Sequence, residues 1–428
     1  MSSDSVLIQS LTASPRPSGV AWLKPLQQAS FDRLRELGLP TRKSEDWKYT
    51  DITTMNDKAF VVAKPGRFEG LKHQLLSVPA PRLVFVNGHY MAEPSELGSQ
   101  VSFKTFSQLT ANEEQRVRAL LSPGPGDGVA ALQQALSGDG GFIVVPAETS
   151  VAVPIHIVHI SSPDGPAPTI SAPTLVVVAS HGSRATLVEA YGHVEKGLYW
   201  TNSRTIVALE ERASLHHYKI QNEGADGVHT GHCQVLQAKD SAYESFSFAA
   251  GAKLGRNELH VTLNGANASV TMNGLYLVRE GRLLDNHTVV DHAVPHARSS
   301  QYYKGILAEN SRAVFNGKII VRRDAQKTDS SQLNRNLLLG PKAEIDTRPQ
   351  LQIDADDVKC SHGASIGRPN PEEMFYLESR GLSSKQAAHL LCVGFAEDLI
   401  SKLQDGRARH EIQNILAEVF AQMKVVAT

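Results

Sequence analysis

Cysteine is nearly absent from this chain: Cys233, Cys360 and Cys392 are the only three in 428 residues. Three thiols cannot make a disulfide framework, and their scarcity suits a reducing compartment in which a thiolate can serve chemistry. Net charge is absent as well, with 43 Lys and Arg against 44 Asp and Glu. A chain that binds nucleic acid by neutralising phosphates needs a cationic surplus, so that class is set aside. Long apolar runs are missing: LVVVA, from Leu175 to Ala179, falls far short of a bilayer span. MSSDSVLIQS at the N-terminus has no basic segment followed by an apolar run, so it does not read as a secretory signal. The expectation is a cytoplasmic protein without membrane contact. Also missing are GxxxxGK[ST], GxSxG, HExxH and CxxC, the common signatures of nucleotide hydrolysis, esterase chemistry and zinc binding. If ATP matters to this protein, another chain hydrolyses it.

What is present falls into three textures, divided at 1–140, 141–368 and 369–428. The first is mainly helical. Trp22 to Leu39 carries Leu23, Leu26, Leu34 and Leu37 at helical spacing and is stopped by Pro40. Helices are also expected over Glu113–Leu121 and Val129–Leu136, with SPGPGDG (Ser122 to Gly128) as the loop between them. The polar stretch TRKSEDWKYTDI, Thr41 to Ile52, holds Trp47 and Tyr49 and reads as an aromatic anchor onto the domain behind it. PRLVFVNGHY, Pro81 to Tyr90, reads as a strand entering an Asn-Gly hairpin turn.

From about Gly141 the chain becomes a succession of short β runs. A small or polar residue followed by Ala or Arg recurs at Ala185, Ala213, Ala242, Ala268, Arg282, Ala313 and Ala343, in steps of 28, 29, 26, 14, 31 and 30. Apart from the half-step, this is a period of 26–31 residues, which with β texture predicts stacked coils. A sandwich would show turn signals more often, every ~8–12 residues. Each coil is expected to bury Val, Ile and Leu and to turn polar residues outward. After Pro369 the texture is helical again. Asn370 is the N-cap, Pro371 the first helical residue and Gly381 the stop of one helix, with Ser383–Leu403 and Ala408–Lys424 as two amphipathic successors.

DDVKCSHGAS, Asp356 to Ser365, is the chemically distinctive stretch. Cys360 and His362 are two apart, so in a regular strand they share a face. Alternation through Leu351, Ile353 and Ala355 puts odd positions inward, which turns Asp354, Asp356, Cys360 and His362 outward. Val358 breaks that alternation, so a bulge could rotate the pair. A polar setting with nearby basic groups would lower the Cys360 thiol pKa. Two ligands are too few for a closed metal site, so the pair reads as half of one. HTGHC offers His229, His232 and Cys233, but neighbours on a strand point opposite ways, and packing is the better reading. His287, His292 and His296 read as a polar ladder, His216 and His217 as strand surface, and Cys392, among Leu390, Leu391 and Val393, as a buried thiol.

EDWKYT (Glu45 to Thr50), the β middle, DDVKCSHGASIG (Asp356 to Gly367) and FYLESRGLS (Phe375 to Ser383), in that order, resemble the SufB/SufD family of scaffold subunits in SUF iron–sulfur cluster assembly. The likeness spans nearly the whole chain. Having no cysteine before Cys233, the sequence is more similar to the SufD branch than to SufB, which often carries an N-terminal Cys-rich motif. The resemblance implies a mainly β fold: a right-handed parallel β-helix flanked by an N-terminal α/β domain and C-terminal helices. It implies a non-catalytic subunit that pairs with SufB through the β-helix and binds the ATPase SufC through the C-terminal helices, with Phe375, Tyr376 and Arg380 as contacts. It implies no stably bound cofactor, but a transient iron or iron–sulfur cluster at the partner interface, held by Cys360, His362 and ligands from the partner. A homodimer in isolation, acting as a SufB-like scaffold, is the alternative. A β-helix enzyme acting on carbohydrate is a further one; it would need a carboxylate cluster on one face, which the spaced acids do not suggest.

Overall fold

The recurring small residue of the middle region marks a corner. In the computed structural model, which describes residues 5–14, 19–66, 81–122, 126–163, 165–194 and 196–422, Gly182, Arg212, Asp240, Asn267, His296 and Lys327 all have φ between 56 and 64°. Left-handed backbone is costly for residues with a β-carbon. Hydrogen bonds offset the cost: the N–H groups of Arg212, Asp240, His296 and Lys327 donate to carbonyls of Lys239, Ala266, Gln326 and Asp357 in the following coil. The next residue is small and fully buried (Ser183, Ala213, Ser241, Ala268, Ala297, Thr328), which lets the chain turn sharply into its next strand.

Two parallel sheets face each other across these corners. The first runs from Gly141–Val145 through Thr174–Ala179, Tyr199–Leu209, Gly227–Gln237, Leu254–Leu263, Leu283–His292 and Arg312–Val321 to Glu344–Ile353. The second runs from Arg82–Val86 through Ile155–Ser161, Arg184–His193, Ser214–Gln221, Ala242–Ala249, Ser269–Val278, Arg298–Leu307 and Asp329–Leu338 to Lys359–Gly367. Together they make a β-solenoid of about seven turns. Arg184 stacks in register under Ser214, Ala242, Ser269, Arg298, Asp329 and Lys359, so along the second sheet successive coils are 27–31 residues apart. The half-step at Ala268–Arg282 is a change of sheet: Ala185 to Ala268 lie at strand starts of the second sheet, and Arg282, Ala313 and Ala343 at strand starts of the first. Inside, Val177, Val207, Val235 and Val261 meet Leu187, Leu215, Tyr243 and Val270 in one apolar core.

Each outer face has its own cover. On the first sheet, Trp200 and Val228 pack under Leu7, Phe31, Leu34, Trp47 and Leu132 of the N-terminal region, which contains helices α1 (Val6–Ala13), α2 (Lys24–Leu37), α3 (Ala111–Leu121) and α4 (Gly128–Leu136). Gly38, with φ 62°, is the C-cap of α2 and stops it two residues before Pro40. Asp127 caps α4 through the N–H groups of Val129 and Ala130; residues 123–125 of the expected loop lie outside the described residues. The hairpin forms as read, with Asn87 and Gly88 at φ 53 and 80°. Its strand Arg82–Val86 pairs with Ile155–Ser161, so the second sheet takes in a strand from the N-terminal texture.

On the second sheet, Tyr218, Ile220, Phe246, Phe248, Leu275, Leu277 and Ile306 are covered by α6 (Ser384–Ile400) and α7 (Gly406–Gln422) through Cys392, Ala396, Leu399, Leu416 and Phe420. Cys392 is buried as expected, and burial pushes its thiol up to about 12. The last two residues of the expected Ala408–Lys424 helix lie outside the described residues. α5 (Pro371–Ser379), capped by Asn370, precedes both. Among the described residues, no helix is long and apolar enough to cross a membrane.

Candidate functional site

The solenoid ends open. Glu344–Ile353 and Lys359–Gly367 are the last strands of their sheets, each paired on one side only, and no residue of either strand is buried. An unpaired strand edge presents a row of N–H and C=O groups ready for another chain. Ile353 and Ile366 add exposed apolar surface beside it, 40% and 51% accessible.

Cys360 and His362 sit on this final rung, and the register fixes their direction. Cys360 lies over Ser330 and His362 over Gln332. In that preceding strand Ser330, Gln332, Asn334 and Asn336 are buried in the interior while Ser331, Leu333 and Arg335 are exposed. Thiol and imidazole therefore share a face, and it is the face that continues the solenoid interior, not the outer one that alternation suggested. The reason is Val358. No bulge is present; Asp354 to Val358 form the corner between the sheets, with Val358 at the small-residue position and Lys327 paired to Asp357 beside it. Counting alternation across a corner reverses its sense.

The two side chains differ in setting. His362 is exposed, and among the described residues neither it nor Cys360 has a hydrogen-bond partner. Cys360 is half-buried against Leu351, Val358 and Ile319. Burial, and then the charge of Asp329, push its thiol up rather than down, against the expected lowering by basic neighbours. A thiol in this state waits for a metal ion or a base to take its proton.

Beneath this rung the interior is polar, against the expectation of an apolar core throughout. Ser299 and Ser330 hydroxyls lie 2.7 Å apart, Gln332 Nε2 donates to Gln301 Oε1 at 2.6 Å, and Asn334 Nδ2 donates to the Tyr276 hydroxyl at 3.0 Å. Like side chains stacked at the coil repeat satisfy one another, so polar groups can fill a core next to an open end. His292 belongs here, its Nε2 2.9 Å from the Ser299 hydroxyl. His287 lies instead on the outer face, 3.0 Å from Asp285, and His296 is a corner residue, so the three histidines do not form one ladder.

HTGHC divides as its neighbours' opposite directions required. His232 faces outward; His229 and Cys233 face a second polar zone at mid-height. His229 Nδ1 lies 2.7 Å from Glu223, and Lys219 Nζ donates to His229 Nε2 at 2.9 Å and to Asn257 Oδ1 at 2.7 Å. A cavity of about 40 Å³ is lined by Cys233, His217, Glu189, Lys219 and Tyr243 among others. His216 is surface-facing, as expected, but His217 is buried, its Nε2 3.0 Å from Glu189 and its Nδ1 2.9 Å from the Tyr243 hydroxyl. Burial pulls His217 down, and the Cys233 sulfur and Glu189 outweigh it, raising the ring to about 9. A raised folded-state value stabilises the fold fully below the unfolded pKa and is lost as pH rises through the folded one. The unfolding free energy from urea titration should therefore fall between pH 6.5 and about 9, by at most about 3 kcal/mol, and the slope should flatten in His217→Gln. An identical slope in that variant would assign the effect to another group.

α5 carries the remaining expected site residues. None of its residues is buried, and Phe375 and Tyr376 are 73% and 58% accessible. The Arg380 guanidinium lies 5.4 Å from the centre of the Tyr376 ring. Two large aromatics left in solvent beside a cation make an interaction surface of the kind that anchors a partner. The EDWKYT segment is the anchor expected: Trp47 is buried, its Nε1 donates to Asp127 Oδ2 at 2.8 Å, and the Thr50 hydroxyl donates to Asp285 Oδ2 at 2.5 Å.

Comparison with known proteins agrees with this architecture. Residues 159–395 match the family model described as SUF system FeS cluster assembly, SufBD core domain, and residues 16–157 that described as SufBD protein N-terminal region. A SufBD family iron-sulfur cluster assembly protein of Synechocystis is 33% identical over 393 residues, covering 88% of this chain and 86% of that one. The iron-sulfur cluster assembly protein SufD of Escherichia coli is 32% identical over 398 residues, 91% of each chain. A chloroplastic protein of Arabidopsis thaliana, ABCI7, is 30% identical over 421 residues, 95% of this chain and 88% of its own length.

Proposed function

The chain belongs to the SufBD family of the SUF iron–sulfur cluster assembly system, and from that premise we propose that it is a non-catalytic scaffold subunit, at work in the cytoplasm, that pairs with SufB end to end. The observation that carries the reading is the final rung, where Cys360 and His362 share one face at a free strand edge. In this reading SufB adds its own strands to the edge and its own ligands to the pair. Imidazole nitrogen and thiolate sulfur both suit iron. Two donors from one chain hold iron or a nascent cluster, the substrate of the assembly, too weakly to keep it, and release follows when the partner's ligands withdraw. The raised thiol pKa fits such a role, because the proton leaves only when the cargo arrives.

The aromatic surface of α5 is the docking point for the ATPase SufC, supplied in trans since this chain has no phosphate-binding loop. Phe375→Ala should weaken SufC binding about tenfold or more, the scale of an exposed aromatic anchor, with thermal unfolding little changed because the side chain is 73% accessible. Unaltered affinity in that variant would place the docking site elsewhere. The test of the whole reading is co-expression with SufB and SufC, followed by subunit counting and iron analysis. A complex holding one copy of this chain beside one SufB supports it; recovery of the chain only as a homodimer, with SufB excluded, sinks the pairing.

A further inference from the structure

A second group of ligand-bearing side chains lies away from the open end, on the outer face of the first sheet. Glu258 and His260 are two apart on the strand Leu254–Leu263, and His232 is the register partner of Glu258 on the strand before it. Parallel strands bring such partners about 4.8 Å apart. The ligand atoms of the three side chains all lie within 4.8 Å of one another. The His232 and His260 rings are 4.8 Å apart and nearly perpendicular, and Glu258 Oε2 is 4.0 Å from His260 Nε2. Bonds of about 2.0–2.2 Å to a common ion put its ligands about 3–3.5 Å apart, so modest side-chain rotation closes the set.

We propose that His232, Glu258 and His260 form a binding site for a divalent first-row transition ion, iron(II) or zinc. Three features favour it. Among the described residues, neither imidazole has a hydrogen-bond partner, so their nitrogen lone pairs are uncommitted. The three side chains are half-buried, so an ion can reach them from solvent yet lose much of its water. Glu258 is oriented from behind: Arg256 Nε donates to its Oε1 at 2.7 Å, which leaves Oε2 for the site. Arg256 is itself fixed by Asp285 at 2.6 Å and by the Asp46 carbonyl at 2.8 Å. Such outer contacts are what hold metal ligands in place. The titratable and charged groups around the site are Arg204, Arg256 and His287, with Asp285 and Asp46 opposing them. Two imidazoles and one carboxylate select transition ions over calcium or magnesium, which prefer all-oxygen sets, and three ligands leave coordination positions open.

The site is independent of the cluster-assembly reading and is tested apart from it. Tag-free full-length chain carrying Cys360→Ala and His362→Ala, stripped with chelator, is titrated with cobalt(II) without oxygen, and the visible ligand-field bands are followed. One equivalent should bind, iron(II) should compete, and His232→Ala and His260→Ala should each weaken binding tenfold or more. The His260 side chain is 39% accessible, so its variant keeps the fold and decides the matter if His232→Ala does not. Absence of saturable binding, or the same isotherm in His260→Ala, overturns the site.

Discussion

His362→Ala is expected to lower the iron–sulfur cluster formed on the assembled SUF complex at least tenfold, with the unfolding midpoint of the chain unchanged. The two halves of that result come from the same fact. His362 lies on the terminal rung, exposed, over Gln332 and without a hydrogen-bond partner among the described residues. Its loss takes no contact from the fold, yet it removes one of two donors from a set that the partner must complete. Losing a direct ligand should cost at least what losing an outer-sphere partner costs, about 10–100-fold. Cys360→Ala should act in the same direction with a small stability loss added, since the half-buried thiol packs against Leu351 and Val358. Cluster absorbance with iron and sulfide counted per complex is the readout. Wild-type yield in His362→Ala would remove the residue from the site.

The largest stability loss is expected at Arg256, far from that end. Arg256 is 2% accessible, and its guanidinium is ion-paired to Asp285 and Glu258 at 2.6 and 2.7 Å, bonded to the Asp46 carbonyl, and 3.9 Å from the centre of the Trp47 ring. Arg256→Ala leaves the buried carboxyl of Asp285 without its cation and removes the platform under Trp47. Breaking a buried pair from one side costs about 3–5 kcal/mol. The loss should localise: hydrogen exchange and proteolysis should rise first around Glu45 to Ile52, because that segment is held to the sheet through Arg256 and Asp285. The effect also has a pH sign. Burial opposes ionisation of Asp285, but His287 and Arg256 hold its carboxyl below the ordinary value. Its stabilising contribution is therefore present above the unfolded value, near 4, and is lost as pH falls through the lower folded one. A uniform loss of protection over all coils would contradict the local anchoring described.

Much of this was legible in the residues. The helix cap at Asn370, the Asn-Gly hairpin and the coil period rest on local chemistry that packing did not override. The direction of Cys360 and His362 was not legible, because alternation is a property of one strand and Asp354 to Val358 are a corner. His217 reads as surface for a related cause. A polar residue inside a solenoid is satisfied by residues one coil away, such as Glu189 for His217, and nothing nearby in sequence announces the partner. The His232, Glu258 and His260 set escaped for the same reason. Its signal is a histidine placed one coil, 26 residues, before the first residue of a Glu-x-His triplet, which only a known register makes visible.

The regular stacking also makes the molecule a ruler. From the strand that bears Glu258 to the last strand of its sheet are three steps, through Leu283–His292 and Arg312–Val321 to Glu344–Ile353. At about 4.8 Å per step the axial rise is about 14 Å. Paramagnetic ions on the outer face and at the open end would sense each other by dipolar coupling over such a span. Deleting or duplicating one whole coil between them would change that rise by about 5 Å, so magnetic resonance could read the height of the scaffold in units of single coils.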